Sequence, residues 1–177
     1  GLVGSEMCIR DRPNVVFFLV DDLGWSDVGC YGSSFYETPH IDRLAKEGVR
    51  FTSGYAACHV CSPTRASILT GKYPATMNLT EWLNGRSDRP YQLLLNPDKA
   101  MALDPKENTL AEVLKKEGYA TALFGKWHLG KGTSPTEHGF DLHVPHSVNS
   151  NLGRRGFYHP QKIPGLSLIH ISEPTRP

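Results

Sequence analysis

The chain has 177 residues, of which 39% are hydrophobic and 21% charged, with a formal net charge of +1. That length suits one domain. The basic residues are scattered and balanced by acids, which excludes a nucleic-acid footprint, and no apolar run approaches the ~20 residues that span a membrane.

The two ends look foreign to the rest. Residues 1–12 read GLVGSEMCIRDR and residues 166–177 read LSLIHISEPTRP. A DNA sequence coding for LSLIHISEPTR can be written whose reverse complement, in another frame, codes for LVGSEMCIRD. Unrelated protein ends should not be related in that way, and the pair resembles translated sequencing-adapter sequence. Both are read as non-native ends, which leaves 13–165 as the informative segment. Cys8 falls in the foreign end. The remaining Cys30, Cys58 and Cys61 are an odd set and no disulfide framework.

In chain order, NVVFFLV at 14–20 is a continuous apolar, β-branched and aromatic run, which predicts a strand covered on both faces. It stops at DDLGW. In TPHIDRLAKEGVRF, Thr38 is the expected cap and Pro39 sits near the first helical position. Ile41, Leu44 and Ala45 have helical spacing, and Gly48 ends the helix. VRFTSGYA at 49–56 reads as a second strand, and TRASILTG at 64–71 as a helix closed by Gly71. A third unit follows, with a helix over 109–116, a stop at Gly118 and a strand over 119–124. Strands alternating with helices predict an α/β fold with a mostly parallel sheet flanked by helices. Residues 77–107 and 131–165 are rich in Pro, Asn, Gly and Arg and read as long loops, which are usually functional or belong to an incomplete domain.

Three places carry candidate chemistry. Asp21 and Asp22 follow the first expected strand, at the end of an α/β sheet where ligands bind. Adjacent carboxylates repel unless a cation sits between them, and oxygen donors favour Ca²⁺ or Mg²⁺. An Asp-Asp turn capping the next segment is the alternative. Lys126 and His128, in GKWHLG, follow the third expected strand. Residues two apart in an extended chain point the same way, so this pair offers fixed charge and a proton to an anion, or is simply a solvated strand end. Cys58 and Cys61 form a CxxC pair, open to a redox role, half a zinc site with His59 and Cys30 as poor partners, or a small buried thiol.

CSPTRASILTG resembles the C-x-P-x-R signature of type I sulfatases, members of the alkaline-phosphatase-like superfamily. It departs from the commonest form only in carrying Thr64 where Ser is usual. NVVFFLVDDLGWSDVGCYG, TPHIDRLAKEGVRFTSGYA, GYATALFGKWHLG and HGFD also resemble sulfatase segments, in the right order and at plausible spacing, over most of 13–141. The resemblance implies a sulfuric ester hydrolase whose Cys61 is oxidised to formylglycine, the hydrated aldehyde serving as nucleophile. It implies that Asp21 and Asp22 are metal ligands, usually for one Ca²⁺, with Cys61 also touching the metal. Arg65 then steadies the formylglycine, Lys126 holds sulfate, and His128 stands beside the formylglycine hydroxyl.

The implied partners are a formylglycine-generating enzyme and a sulfated carbohydrate or aryl sulfate substrate. The implied location is periplasmic or extracellular. TEWLNGRSDRPYQLLLNP carries Trp82, Arg86, Arg89 and Tyr91, a set suited to line a sugar subsite or to form an ordinary surface loop. The family carries further metal-binding and catalytic residues downstream, and nothing after HGFD supplies them. The segment 13–165 is therefore expected to be the N-terminal part of a sulfatase catalytic domain, incomplete at its C-terminus and inactive alone. The rival readings are a phosphatase or phosphodiesterase of the same superfamily and a non-catalytic binding protein on the same fold.

Overall fold

The structure, a computed structural model, describes residues 13–144. The expected foreign ends and the last part of the second long loop lie outside the described residues. The described residues divide into two compact units, with the boundary between Thr52 and Ser53. Among the described residues no helix is long and apolar enough to cross a membrane.

In the first unit, helix α1 spans Pro39–Glu47, with Pro39 in its first turn and Gly48 N donating to the Leu44 carbonyl at 2.9 Å. Thr38 occupies the cap position, but its hydroxyl does not cap the helix. It accepts from Gly29 N at 2.8 Å and donates to Asp42 Oδ1 at 3.1 Å, while Asp42 also accepts from Cys30 N at 2.6 Å. The start of α1 thereby binds the 3-10 turn Gly29–Tyr31 instead of its own amides. Tyr31 completes the unit by donating its hydroxyl to the Phe51 carbonyl at 2.7 Å.

Residues 14–20 and 49–56 do not form the expected strands. The apolar side chains at 15–20 are 39–81% exposed. A continuous apolar run marks a segment suited to burial, but a strand exists only with a ladder partner, and none of the described residues pairs with either segment.

The second unit holds α2 (Cys61–Thr70), α3 (Leu110–Lys116) and two parallel strands, β1 (Ala122–Phe124) and β2 (Leu142–Val144). Their register pairs Ala122 with Leu142 and Phe124 with Val144. β1 lies inside the expected 119–124 strand, whereas β2 lies in a stretch that reads as loop. α3 matches its expectation closely. Thr109 and Glu112 form a reciprocal capping box. At the other end, Tyr119 N bonds the Leu114 carbonyl and Gly118 N the Lys115 carbonyl, the paired closure of a Schellman motif. α2 begins at Cys61, three residues before the expected start at 64, because a proline in the first turn forfeits only an amide that has no intrahelical acceptor.

The core of this unit gathers Ala66 from α2 with Leu79, Leu83, Leu103, Trp127 and Leu129 from connecting segments. Most of these core residues come from segments outside the helices and strands, so the loops here are packed structure. HGFD serves this packing. His138 is fully buried with its ring 5.4 Å from that of Trp127, and Phe140 meets Trp127 edge-on at 6.4 Å. Gly139 has φ +92, and a Cβ there would lie 2.5 Å from Glu112 N. Asp141 accepts from Thr121 N at 2.9 Å and ion-pairs with Lys115 at 2.6 Å, joining the start of β2 to β1 and α3. Lys115 and the Thr121 donors hold the Asp141 carboxyl down to a pKa of about 2. Burial keeps His138 below the usual histidine range, against the opposing pull of Glu112, Glu137 and Asp104.

Candidate functional site

The site in the second unit is built on the first turn of α2. Val60 is extended and Cys61 is the first helical residue, so the thiol projects where the helix amides have no intrahelical acceptors. Ser62 and Pro63 are buried beneath it. The Thr64 hydroxyl donates back to the Cys58 carbonyl at 2.7 Å, fixing the approach to the helix. Cys58 and Cys61 are both free thiols.

His128 arrives from the segment after β1. Its Nδ1 lies 3.2 Å from Cys61 Sγ, and its Nε2 is hydrogen-bonded to the Leu83 carbonyl. A carbonyl oxygen only accepts, so Nε2 carries a hydrogen. In the neutral ring the Nδ1 lone pair then faces position 61. His128 has φ +58, a left-handed conformation that costs a non-glycine residue about 1 kcal/mol or more. Packing on both sides sustains it: Trp127 and Leu129 are 1% and 0% exposed, and Arg65 Nη1 donates to the Lys126 carbonyl at 2.8 Å.

The segment that carries Lys126 and His128 is not the extended strand end that the sequence suggests. β1 ends at Phe124 and the backbone turns at His128. What unites the two residues is that Arg65 holds the main chain of one while Cys61 and Leu83 flank the ring of the other.

Leu83 itself carries no mark in the sequence. Its N–H donates to the buried Ser62 Oγ at 3.0 Å, its carbonyl accepts from His128, and its side chain joins the core. Because it contributes main-chain atoms, no residue-type signal points to it.

Asp21 and Asp22 belong to the first unit, in an exposed turn after 13–20, with Asp22 at φ +57. Among the described residues no three His, Cys, Asp or Glu side chains gather as a metal cluster. The two adjacent carboxylates fit a hard divalent ion by donor type, and supply part of the roughly six to eight oxygens that Ca²⁺ takes.

A family-wide sequence profile described as Sulfatase matches residues 13–165. The chain belongs to the sulfatase family. It is 45% identical over 143 residues to steryl-sulfatase of Mus musculus, covering 75% of this chain and 22% of that protein. It is 44% identical over 132 residues to N-acetylgalactosamine-6-sulfatase of Rattus norvegicus, covering 73% and 24%. Among solved structures, BT4656 in complex with its substrate D-glucosamine-2-N,6-O-disulfate superposes with a TM-score of 0.58 at 34% identity, covering 74% of this chain and 22% of that one. This sulfatase chain thus spans about a quarter of the length of the relatives it matches. Its fold is that of the sulfatases, α/β and alkaline-phosphatase-like.

Proposed function

We propose that this chain carries the nucleophile and its immediate support in a sulfuric ester hydrolase, with Cys61 the residue converted to formylglycine. The observation that carries the reading is the placement of Cys61 Sγ at the start of α2, 3.2 Å from His128 Nδ1. A formylglycine at this position supplies a hydrated aldehyde, with one hydroxyl to attack sulfur and a second to release sulfate.

This chain's own residues do the rest. His128, its Nε2–H spent on Leu83, presents Nδ1 to accept or return a proton at position 61. The first-turn amides of α2 favour an anion there. Lys126 adds positive charge for a sulfate monoester, whose own negative charge repels nucleophiles. Arg65 holds the Lys126 main chain, and so the path of the chain into His128. Asp21 and Asp22 are the residues that would hold one Ca²⁺, which would supply Lewis-acid chemistry for a sulfate ester.

The proposed substrate is a sulfated carbohydrate, supported by the likeness to a structure bound to a sulfated glucosamine. A small aryl or steroid sulfate is the second choice, supported by the likeness to steryl-sulfatase. The proposed modifying partner is a formylglycine-generating enzyme, and the proposed location is periplasmic or extracellular.

The deciding experiment is Cys61→Ala in the full-length protein containing this chain. It should abolish sulfate release from an aryl sulfate while leaving the melting temperature unchanged. More than trace turnover by the folded variant would overturn the assignment.

A further inference from the structure

The loop that contributes Leu83 to the site also borders an open surface cavity of about 480 Å³, lined by Trp82, Arg86, Arg89, Tyr91 and Gln92 among others, with Arg86, Arg89 and Tyr91 exposed. No acidic side chain lines it. Among the described residues neither Arg86 nor Arg89 makes an ion pair, while the acids of the same loop are already engaged. Glu81 pairs with Lys99, a side chain only 8% exposed, and accepts from Arg86 N at 3.2 Å. Asp88 accepts from both Asn96 N and Asn96 Nδ2, at 2.9 and 2.8 Å.

These bonds also shape the loop. Asn96 Nδ2 donates to the Arg86 carbonyl at 3.0 Å, and Arg89 N to the Gln92 side chain. Gly85, at φ +82, lies so close to Lys99 that a Cβ would stand 1.7 Å from Nζ. The turn is thus held by its own polar groups and by a buried ammonium. The Lys99 ammonium draws the Glu81 carboxyl below its usual range, so the pair persists as charges. The backbone is tied down, and Arg86 and Arg89 both line the cavity, Arg86 also within electrostatic reach of Glu81.

We infer that this cavity is a specificity subsite for a second anionic group on a sugar, next to the ester being cleaved. The inference rests on the sulfatase reading and names which substrates it prefers. Two guanidinium groups suit a planar or tetrahedral oxyanion through paired N–H donors. Trp82 and Tyr91 supply flat faces for a pyranose ring. Proximity to the reaction comes from the chain itself, since Trp82 directly precedes Leu83, whose main chain bonds both Ser62 and His128. A substrate bearing only one sulfate has nothing to offer Arg86 and Arg89, so the cavity sorts polyanionic sugars from simple esters.

The test compares Arg86→Ala/Arg89→Ala with wild type in the full-length protein, on D-glucosamine-2-N,6-O-disulfate, D-glucosamine 6-sulfate and 4-nitrophenyl sulfate. The ratio of kcat/KM for the disulfate to that for the aryl ester should fall by about tenfold or more, mainly through KM. Arg86→Lys/Arg89→Lys should restore part of it. Calorimetric titration with the disulfate should show the same loss of affinity in the double alanine variant. Equal losses on all three compounds, or an unchanged affinity for the disulfate, would overturn the subsite. If wild type binds the disulfate through these arginines yet hydrolyses none of the esters, the sulfatase reading fails while the anion site stands.

Discussion

Arg65, in the second turn of α2, donates through Nη1 to the main-chain carbonyl of Lys126 at 2.8 Å. The helix that presents Cys61 therefore also holds the strand-end segment that presents His128, so the two parts of the site share one anchor. Arg65→Ala in the full-length protein should lower kcat about 100-fold, because misplacement by an ångström costs that much. Arg65→Lys should not restore it, since an ammonium lacks the planar reach of the guanidinium. Steady-state kinetics on an aryl sulfate read the effect, and an unchanged kcat in either variant would contradict it.

Gly139 should not tolerate a side chain. Its φ is +92, and the new Cβ would meet the amide nitrogen of Glu112 at 2.5 Å, a backbone atom that cannot swing aside. Gly139→Ala should destabilise the fold by about 2 kcal/mol or more, read from urea unfolding with the denaturant slope unchanged. A shift within error of zero would mean that α3 and the 138–141 segment do not approach as described.

Asp141 gives the fold an acid-sensitive joint. Folding lowers its pKa from an ordinary 3.8 to about 2, through Lys115 first and the Thr121 donors second. The unfolded chain therefore takes up this proton more readily. The stabilisation is complete above pH 3.8 and fades as the pH falls towards 2. Asp141→Asn should lower stability at neutral pH and flatten the loss of stability over that acid window. Parallel pH–stability curves for variant and wild type would refute the assignment.

The proposed metal has a readout independent of turnover. Elemental analysis of the purified full-length protein should find about one hard divalent ion per chain. Asp21→Asn/Asp22→Asn should lose it, since neutral amides forfeit the charge that attracts the ion. Two zinc ions per chain would favour a phosphatase or phosphodiesterase instead.

The helices are largely legible in the sequence. Helical spacing and Gly48 locate α1, and Thr109 with Gly118 brackets α3. The start of α2 is harder to read, because Pro63 looks like a stop when it comes after residues not yet assigned to a helix, although a first turn accepts proline. Apolarity alone places strands at 14–20 and 49–56, where no described residue supplies a ladder. It overlooks β2, which at three residues is too short to show alternation. The site is legible only through the motifs. Cys61 and His128 lie 67 positions apart, and spacing says nothing of a 3.2 Å contact across that distance. The motif HGFD points to the family, but its physical work is packing: His138 and Phe140 flank Trp127, and Asp141 joins β1, β2 and α3.

Leu83 meets Ser62 and His128 through its N–H and carbonyl, and meets the core through its side chain. Those three attachments fix one apolar residue, and the stretch that follows is tied by its own hydrogen bonds and to Glu81, not to the imidazole. The residues from 84 to 98 hang from that fixed point as a replaceable cassette. Its length and composition can be exchanged while the pivot keeps the imidazole in place. A designer seeking a new selectivity has a natural splice point immediately after Leu83, and a lineage drifting towards a new ester has the same freedom without rebuilding the machinery beneath.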